Sequence, residues 1–331
     1  MNEPSPVISV SVVAPIYNEI ENIEPLCRRL HEALSRLNRP YEILLVDDGS
    51  TDGSWQKMTD MTRIVPCLRV IRLRRNFGQT AAMSAGFDHA RGEVIVTMDA
   101  DLQNDPADIP LLLERMAQGY DVVSGWRKDR KDPFLNRRLP SMLANMLISK
   151  ITGVALHDYG CTLKAYRHEV MKNLRLYGEM HRFIPALASW VGGRIDEVVV
   201  RHEPRRFGKS KYGLSRTFRV ILDLITVKFL LQYSRGPMQI FGKIGALFGL
   251  PGLLMLLTMV MGNLSFHLFG TTVGAYLIKR PFWIMTSFML IFFGMQFVSM
   301  GLLAEMQIRT YHESQDKLTY VVKETAESPG G

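Results

Sequence analysis

An apolar run ends in two aspartates in the stretch Glu93-Val94-Ile95-Val96-Thr97-Met98-Asp99-Ala100-Asp101. The run has the composition of a buried β-strand, which places both aspartates in the loop that follows it. Carboxylates separated by one small residue can aim at a common point, and Mg²⁺ and Mn²⁺ prefer such oxygen ligands. A solvated turn would give the same short pattern, but polar residues at 103–105 extend the cluster. We therefore predict that Asp99 and Asp101 bind Mg²⁺ or Mn²⁺.

The same arrangement, a β-rich run followed by a polar loop, occurs twice nearer the N-terminus, with loops at residues 15–19 and 47–53. Strand candidates alternate with helical stretches, which implies crossover connections and a doubly wound, mostly parallel α/β sheet. Ligands of such sheets bind at the carboxyl ends of the strands, so we expect the three loops to converge. The predicted strands are 8–14, 41–46, 68–73, 94–98 and 121–124. The predicted helices are 20–37, 54–62, 79–89 and 106–118, with Asn18 as a cap for the first.

Charge and composition indicate the partners and the compartment. The chain has 331 residues and a formal net charge of +8, which suggests an anionic partner. Basic residues concentrate at 127–138 and 201–219, before the apolar region, which favours phosphate and lipid headgroups over nucleic acid. The three cysteines have neither paired nor metal-ligand spacing, which fits a reducing compartment. The first residues lack the features of a secretory signal, so we expect a cytosolic N-terminal domain.

Two uncharged apolar runs, at about 244–262 and 282–304, are each close to the ~20 residues needed to cross a bilayer. We predict two transmembrane helices in the cytoplasmic (inner) membrane, with a buried helical hairpin as the alternative. Two crossings place both termini on one side, and the basic residues before the first run indicate the cytosol. Residues 214–238 carry a narrow polar stripe typical of an amphipathic helix in the membrane interface. Residues 139–151 fit either a similar interfacial helix or an ordinary domain helix. The tail from 324 is predicted to be disordered.

The polar loops favour nucleotide-sugar chemistry over two other nucleotide-binding classes. Neither a Gly-x-x-x-x-Gly-Lys loop nor a Gly-x-Gly-x-x-Gly turn follows the first strand, which argues against an NTPase and a dinucleotide dehydrogenase. A cation at Asp99 and Asp101 would bridge a diphosphate and neutralise the departing nucleotide, so glycosyl transfer is a natural reaction class. Asp48 and Glu19 can accept hydrogen bonds from a nucleobase or ribose. Asp47 is either a ligand contact or a turn residue.

The motifs together resemble a known family. They are residues 11–19 (Ser-Val-Val-Ala-Pro-Ile-Tyr-Asn-Glu), 46–54 (Val-Asp-Asp-Gly-Ser-Thr-Asp-Gly-Ser), 75–79 (Arg-Asn-Phe-Gly-Gln) and 99–103 (Asp-Ala-Asp-Leu-Gln). The chain resembles the family 2 glycosyltransferases of GT-A fold, and within them the polyprenyl-phosphate branch. That branch includes dolichol-phosphate mannose synthase, bactoprenol glucosyltransferases and undecaprenyl-phosphate aminoarabinose transferases. The likeness continues through residues 158–161, 207–212 and both apolar runs, so it covers most of the chain.

The resemblance implies site residues and a domain layout. Asp99 and Asp101 would bind metal and diphosphate, and Gln103 would lie near the donor sugar or phosphate. Asp158 would be either a general base or a residue that orients a basic side chain or the sugar. The nucleoside pocket would be lined by Pro15, Tyr17, Glu19 and Asp48. The phosphate-binding and acceptor-binding candidates are Arg127, Arg138, Arg206, Lys209 and Lys211, for which a solvated basic face is the alternative. The expected domains are a cytosolic catalytic domain (1–213), an interfacial helix (214–238), a transmembrane region (239–305) and a cytosolic tail (306–331).

The expected reaction is an inverting transfer of a monosaccharide from a nucleotide diphosphate sugar to polyprenyl (undecaprenyl) phosphate. UDP-glucose is the predicted donor, and UDP-aminoarabinose derivatives, UDP-N-acetylglucosamine and GDP-mannose are alternatives. The resemblance also implies a homo-oligomer assembled through membrane helices. Two other functions stay open: a processive polysaccharide synthase, whose Gln-x-x-Arg-Trp motif this sequence lacks, and a non-catalytic membrane partner that binds nucleotide sugar.

Overall fold

The computed structural model describes residues 8–128, 139–172, 174, 176, 178, 180–204, 237–269, 281–314 and 319–328. The chain divides into two compact units. One comprises Met1–Lys228 together with Leu318–Gly331, and the other comprises Phe229–Lys317. The predicted domain boundaries stay predictions, and residues 214–236 of the predicted interfacial helix lie outside the described residues.

The first unit is an α/β sandwich built on a mostly parallel sheet. Within the described residues the sheet has eight strands: β1 (Val10–Ile16), β2 (Tyr41–Asp47), β3 (Leu68–Leu73), β4 (Val94–Thr97), β5 (Val122–Trp126), β6 (Lys164–Arg167), β7 (Ile195–Val199) and β8 (Val322–Glu327). Their order is β7-β5-β6-β4-β1-β2-β3-β8. Strands β6 and β8 run antiparallel to their neighbours, whereas the pairs β1–β2, β1–β4, β2–β3 and β5–β7 are parallel. The predicted fold class is confirmed.

The helices of this unit cover the sheet through apolar faces. They are α1 (Ile20–Ser35), α2 (Ser54–Met61), α3 (Gln79–His89), α4 (Ile109–Ala117), α5 (Leu139–Thr152), α6 (His168–Lys172) and α7 (Ile184–Trp190). Helix α1 shows the cause most clearly, because its buried residues recur three or four positions apart. Ile23, Leu26 and Leu30 are fully buried in one hydrophobic core with the side chains of β1 and β2.

The register of the central strands sets the position of the polar loops. Ile16 at the end of β1 lies opposite Asp47 at the end of β2, and Val13 lies opposite Thr97 of β4. Because these strands are parallel, the loops that follow them leave from the same edge of the sheet. The five predicted strands are confirmed, with ends that differ by no more than two residues. Strands β6 and β7 were not predicted, since four residues reading Lys-Ala-Tyr-Arg lack the pattern of a central strand.

The prediction of a disordered tail from residue 324 is wrong for the described part of that tail. Strand β8 pairs antiparallel with β3 at the edge of the sheet. Its sequence, Val-Lys-Glu-Thr-Ala-Glu, is too polar to read as a strand. Arginines of β3 pair with its glutamates and stabilise it there. The chain therefore leaves the sheet after β7 and returns to it after the apolar region.

The second unit contains two long apolar helices, α8 (Pro237–Phe269) and α9 (Pro281–Ser314). The segments Met238–Leu268 and Pro281–Ala304 are long and apolar enough to cross a membrane. Only 17% of the most apolar window in each is buried, which argues against the alternative of a buried soluble hairpin. The helices approach closely at glycines, because a β-carbon added at Gly294 would lie 2.7 Å from the Gly249 α-carbon. Small residues of this kind allow close packing between helices in lipid.

We predict that Gly294→Leu separates α8 from α9, because the new side chain would overlap the backbone of Gly249 and the carbonyl oxygen of Gly245, 2.8 Å from the added β-carbon. The thermal midpoint of the detergent-solubilised protein should fall, as overpacking typically costs about 1–3 kcal/mol. Gly242→Leu is the matched control, because a β-carbon there meets nothing within 4 Å. Equal midpoints for the two variants would contradict the packing interpretation.

Candidate active site

The first two strand-end loops are tied to each other by side-chain hydrogen bonds. The Asn18 backbone N–H donates to Ser50 Oγ over 2.9 Å, and the Thr51 N–H donates to Asn18 Oδ1 over 2.9 Å. Asn18 therefore does not cap α1, contrary to the prediction from the sequence. The second loop caps that helix instead, since Asp52 Oδ2 accepts from the Ile20 N–H over 3.2 Å. The loops at 15–19 and 47–53 form one rigid wall.

Asp48 fastens a further loop to this wall. Its carboxylate accepts hydrogen bonds from the backbone N–H groups of Phe77, over 2.7 Å, and Gly78, over 2.9 Å. Burial raises the pKa of Asp48, and these two bonds act in the opposite direction. Gly49 allows the backbone at Arg75 to pack closely against the second loop. It has a φ of 71°, and an added β-carbon would lie 2.5 Å from the Arg75 carbonyl carbon. Asp47 is a turn residue in the structure, since its Oδ1 accepts from the Ser50 N–H over 2.9 Å.

Asp99 and Asp101 lie near the start of the loop that follows β4, in a partly desolvated position. Gln79 Nε2 donates to Asp99 Oδ1 over 2.8 Å, and the Gln103 N–H donates to Asp101 Oδ1 over 3.1 Å. The pKa of Asp99 is raised to about 6, first by burial and then by the charge of Asp101. Between them and Gln103, Leu102 has a φ of 61°, a left-handed conformation that is rare for such a side chain.

The three strand-end loops converge on one cavity of about 230 Å³. It is lined by Pro15, Ile16, Tyr17, Glu19, Asp48, Asn76, Gly78, Gln79, Asp99, Ala100 and Asp101. All four residues predicted for the nucleoside pocket, and both predicted metal ligands, are in this set. Gln103 is not among the lining residues, because its backbone is held between Asp101 and Glu203. The binding roles themselves stay predictions.

The aspartate pair fits a divalent cation that the substrate helps to bind. Among the described residues, no group of three or more His, Cys, Asp or Glu side chains is arranged to hold a metal. Two carboxylates face one cavity, and the pKa of Asp99 is raised by burial and then by the Asp101 charge, so the pair would gain from a dication between them. Mg²⁺ and Mn²⁺ often bind through one or two carboxylates, with phosphate oxygens completing the shell.

Arg127 and Asp158 form a buried ion pair beside this cavity. Arg127 Nε donates to one Asp158 oxygen over 2.7 Å and Nη2 donates to the other over 3.0 Å, so the contact is bidentate. The Asp158 charge raises the pKa of Arg127, against the effect of its burial. The positive charge of Arg127 also opposes the rise in the pKa of Asp99. The other phosphate-binding candidates, Arg138, Arg206, Lys209 and Lys211, lie outside the described residues.

Three further basic or polar residues of the charged cluster that includes Arg127 and Asp158 were missed by the sequence reasoning. The Arg182 charge, like that of Arg127, opposes the rise in the pKa of Asp99. Lys164 is buried, donates to the Tyr159 carbonyl oxygen over 3.0 Å, and has a pKa lowered to about 8 by burial. His181 is kept neutral near pH 7, because burial and then the Arg182 charge lower its pKa to about 3. None of the three belongs to a motif of the sequence, since Lys164 begins the short strand β6, and His181 and Arg182 lie in a short turn before α7.

Comparison with known proteins agrees with this geometry. The family model for Glycosyl transferase family 2 matches residues 11–175. Dodecaprenyl-phosphate galacturonate synthase of Rhizobium johnstonii is 45% identical over 330 residues, which cover 98% of this chain and 94% of that protein. The chain belongs to glycosyl transferase family 2. Undecaprenyl-phosphate 4-deoxy-4-formamido-L-arabinose transferase of Pseudomonas paraeruginosa is 37% identical to this family member over 97% of the chain and 91% of that protein.

Solved structures support the GT-A-like fold of this glycosyltransferase. Glucosyl-3-phosphoglycerate synthase from Mycobacterium tuberculosis, in complex with Mn²⁺, UDP and phosphoglyceric acid, superposes with a TM-score of 0.53. The match covers 68% of this chain and 78% of that chain at 18% identity, so it concerns the fold alone. The predicted enzyme class is confirmed by the family membership. The aspartate pair therefore lies in the strand-end cavity of a glycosyltransferase.

We predict that Gly49→Ala lowers the free energy of unfolding. The added β-carbon would collide with the Arg75 carbonyl carbon, and the alanine would also have to adopt a left-handed conformation. Gly153→Ala is the matched control, since Gly153 has a φ of 77° but nothing within 4 Å. Chemical denaturation should show a free energy of unfolding that is lower by at least about 1 kcal/mol in Gly49→Ala than in Gly153→Ala. Equal values would mean that the loop moves aside at no cost.

We also predict that Asp158 and Arg127 behave as a unit. Asp158→Asn leaves a buried cation without its partner and should lower the free energy of unfolding by about 3–5 kcal/mol. The double variant Asp158→Asn/Arg127→Met should lose less than the sum of the single variants. Glu24→Gln, in the half-exposed pair with Lys57, is the control and should leave the free energy of unfolding close to that of the wild type. Additive losses at 158 and 127 would contradict the coupling.

Proposed function

We propose that this glycosyltransferase moves a monosaccharide from a nucleotide diphosphate sugar to polyprenyl phosphate at the cytosolic face of the membrane. The observation that carries the proposal is the cavity in which Asp99 and Asp101 face the walls built from the loops at 15–19 and 47–53. The names of the two relatives described above, which span almost the whole chain, support the lipid phosphate acceptor.

The nucleoside would lie against Pro15, Tyr17, Glu19 and Asp48, with its diphosphate beside Asp99 and Asp101. A divalent ion held there by the two carboxylates, when bound, supplies positive charge that stabilises the departing diphosphate. Asp99 is poised for this role because Gln79 fixes one of its oxygens over 2.8 Å. Structural neighbours that were crystallised with Mn²⁺ or Mg²⁺ and UDP support a divalent cofactor.

In the transfer step, a phosphate oxygen of the lipid would form a bond to the anomeric carbon while the bond from that carbon to the nucleotide phosphate breaks. One displacement of this kind inverts the anomeric configuration. The attacking oxygen is already anionic near neutral pH, so the site needs to position it and offset its charge rather than remove a proton. Arg127 can offset that charge. The ion pair with Asp158 favours the interpretation that Asp158 orients Arg127.

Chain connectivity supports two crossings of the membrane. Helices α8 and α9 lie between β7 and β8 in sequence, and both strands belong to one sheet. If each helix spans the bilayer, an even number of crossings returns the chain to the side from which it left. The basic residues that precede α8 favour the cytosol as that side. Homo-oligomerisation through these helices remains part of the proposal.

The donor sugar has two candidates. Glucose is the sugar predicted from the sequence. A uronic sugar is favoured by a specific observation: Arg127, Arg182 and Lys164 all act electrostatically within the cluster around Asp99 and Asp158. Cations in a partly desolvated site can pair with a sugar carboxylate. The galacturonate named for the relative that is 45% identical supports this candidate.

The test uses the purified full chain in nanodiscs with polyprenyl phosphate and labelled donors. We expect a lipid-linked monosaccharide that requires Mg²⁺ or Mn²⁺ and disappears with EDTA. UDP-galacturonate, UDP-glucose, the aminoarabinose donor, UDP-N-acetylglucosamine and GDP-mannose are compared in competition. Failure with every donor would overturn the proposal, and long polymeric products would indicate the processive synthase instead.

Asp99→Asn and Asp101→Asn should each lower the rate by about 100-fold or more, because they remove charge from the diphosphate clamp. Glu32→Gln is the control, since Glu32 pairs only with Arg36 on an exposed face among the described contacts. If the aspartate variants support the same cellular function as the wild type, the protein is a non-catalytic partner.

A further inference from the structure

The C-terminal segment 320–328 is fastened to the catalytic unit along its whole length. Strand β8 pairs with β3 from Arg69, opposite Glu327, to Leu73, opposite Val322. Backbone bonds extend the ladder at both ends, from the Ser328 N–H to the Leu68 carbonyl oxygen and from the Arg74 N–H to the Val321 carbonyl oxygen, each over 3.0 Å. The second of these bonds lies at the first residue after β3.

A side-chain anchor joins the same segment to α3. Tyr320 is 4% exposed, and its hydroxyl donates to Asp88 Oδ2 over 3.0 Å. Helix α3 begins at Gln79, whose side chain holds Asp99. Strand β3 leads directly into the loop whose Phe77 and Gly78 amides hold Asp48. Segment 320–328 therefore contacts both elements that lead to the cavity.

A line of charges runs from β8 to the second strand-end loop. Glu324 Oε1 lies 3.0 Å from Arg72 Nη1, and Arg72 Nε lies 3.4 Å from Asp47 Oδ2. Asp47 is fully buried, so Arg72 is the cation that offsets its charge in the low-dielectric interior. The other Asp47 oxygen holds the Ser50 N–H, which shapes the turn that presents Asp48. Glu324 fixes the orientation of the guanidinium at the outer end of this line.

A second glutamate on β8 has similar contacts without this connection. Glu327 lies 2.9 Å from Arg69 and 3.0 Å from Arg91. Its exposure, 40%, nearly equals the 43% of Glu324. Arg69 continues to Glu42 at the opposite end of the strands, away from the loops. A substitution at Glu327 therefore tests the attachment of β8 to the sheet alone. A substitution at Glu324 tests that attachment and the connection to the loops together.

We propose that β8 is a positioning element of the donor site, in which Glu324, through Arg72 and Asp47, holds the loops at 47–53 and 75–78 in the conformation that binds the nucleoside diphosphate. The inference rests on the proposed nucleoside pocket. A strand that only covers the edge of the sheet against aggregation would need neither this line of charges nor the bond to Arg74. The segment that follows the apolar helices thereby helps to position the donor site.

The test compares Glu324→Lys with Glu327→Lys in the full chain in nanodiscs. Each change replaces attraction to arginine by repulsion on the same strand, so both should lower the thermal midpoint by similar amounts. Calorimetry with UDP and Mn²⁺, and with GDP as the second probe, measures the donor site. Glu324→Lys should raise the dissociation constant about fivefold or more, whereas Glu327→Lys should stay within about twofold. Glu324→Gln should show a smaller rise in the same direction.

Hydrogen exchange of the peptide that contains Phe77 and Gly78 supplies a readout without nucleotide. Its amides should exchange faster in Glu324→Lys than in Glu327→Lys, because Asp48 no longer holds them as firmly. Equal exchange and equal nucleotide affinity in the two variants would overturn the inference. A wild type that binds neither UDP nor GDP would count against the proposed function alone, since the exchange comparison would still decide the role of β8.

Discussion

The structure of the site depends on the repulsion between two partly desolvated carboxylates. Burial, and then the charge of Asp101, raise the pKa of Asp99 to about 6. Placing them together costs free energy that the surroundings offset only in part, through Gln79 and through the charges of Arg127 and Arg182. A divalent cation with a diphosphate would offset the rest. In the proposed function, donor binding would relieve this unfavourable interaction.

Rigid loops make this arrangement possible. The loops after β1 and β2 share hydrogen bonds through Asn18, and Asp48 holds a third loop through two backbone amides. Fixed groups of this kind need little reorganisation when the charge moves during transfer. In the proposed function, the two carboxylates and a cation would replace the glycine-rich amides and the lysine of a phosphate loop. Asp158 holds Arg127 in a fixed position in the same way. In the proposed function, Arg127 would offset the charge of the acceptor phosphate.

The apolar helices are followed in sequence by β8, a strand of the sheet that carries the candidate active site. The close approach of Gly294 and Gly249 packs α8 against α9 without large side chains. The chain then returns to the sheet, where Arg69 and Arg72 pair with glutamates of β8. Strand β8 thereby pairs with the edge of β3 that would otherwise be open. The two apolar helices lie in sequence between two strands of one sheet, so residues from both sides of them complete the catalytic unit.

The sequence by itself determined the parallel sheet, the strand-end loops, both apolar helices and the aspartate pair, because hydrophobic periodicity and adjacent residues carry those features. The family resemblance implied that Pro15, Tyr17, Glu19 and Asp48 line one pocket, and all four lie at one cavity because parallel strands deliver their loops to one edge. Tertiary structure decided the rest. The pairing of Asp158 with Arg127, the cations Lys164 and Arg182, and the strand at 322–327 depend on contacts between residues far apart in the chain. Such contacts leave no local pattern, and the polar residues of β8 become a strand only because β3 offers arginines and an open edge.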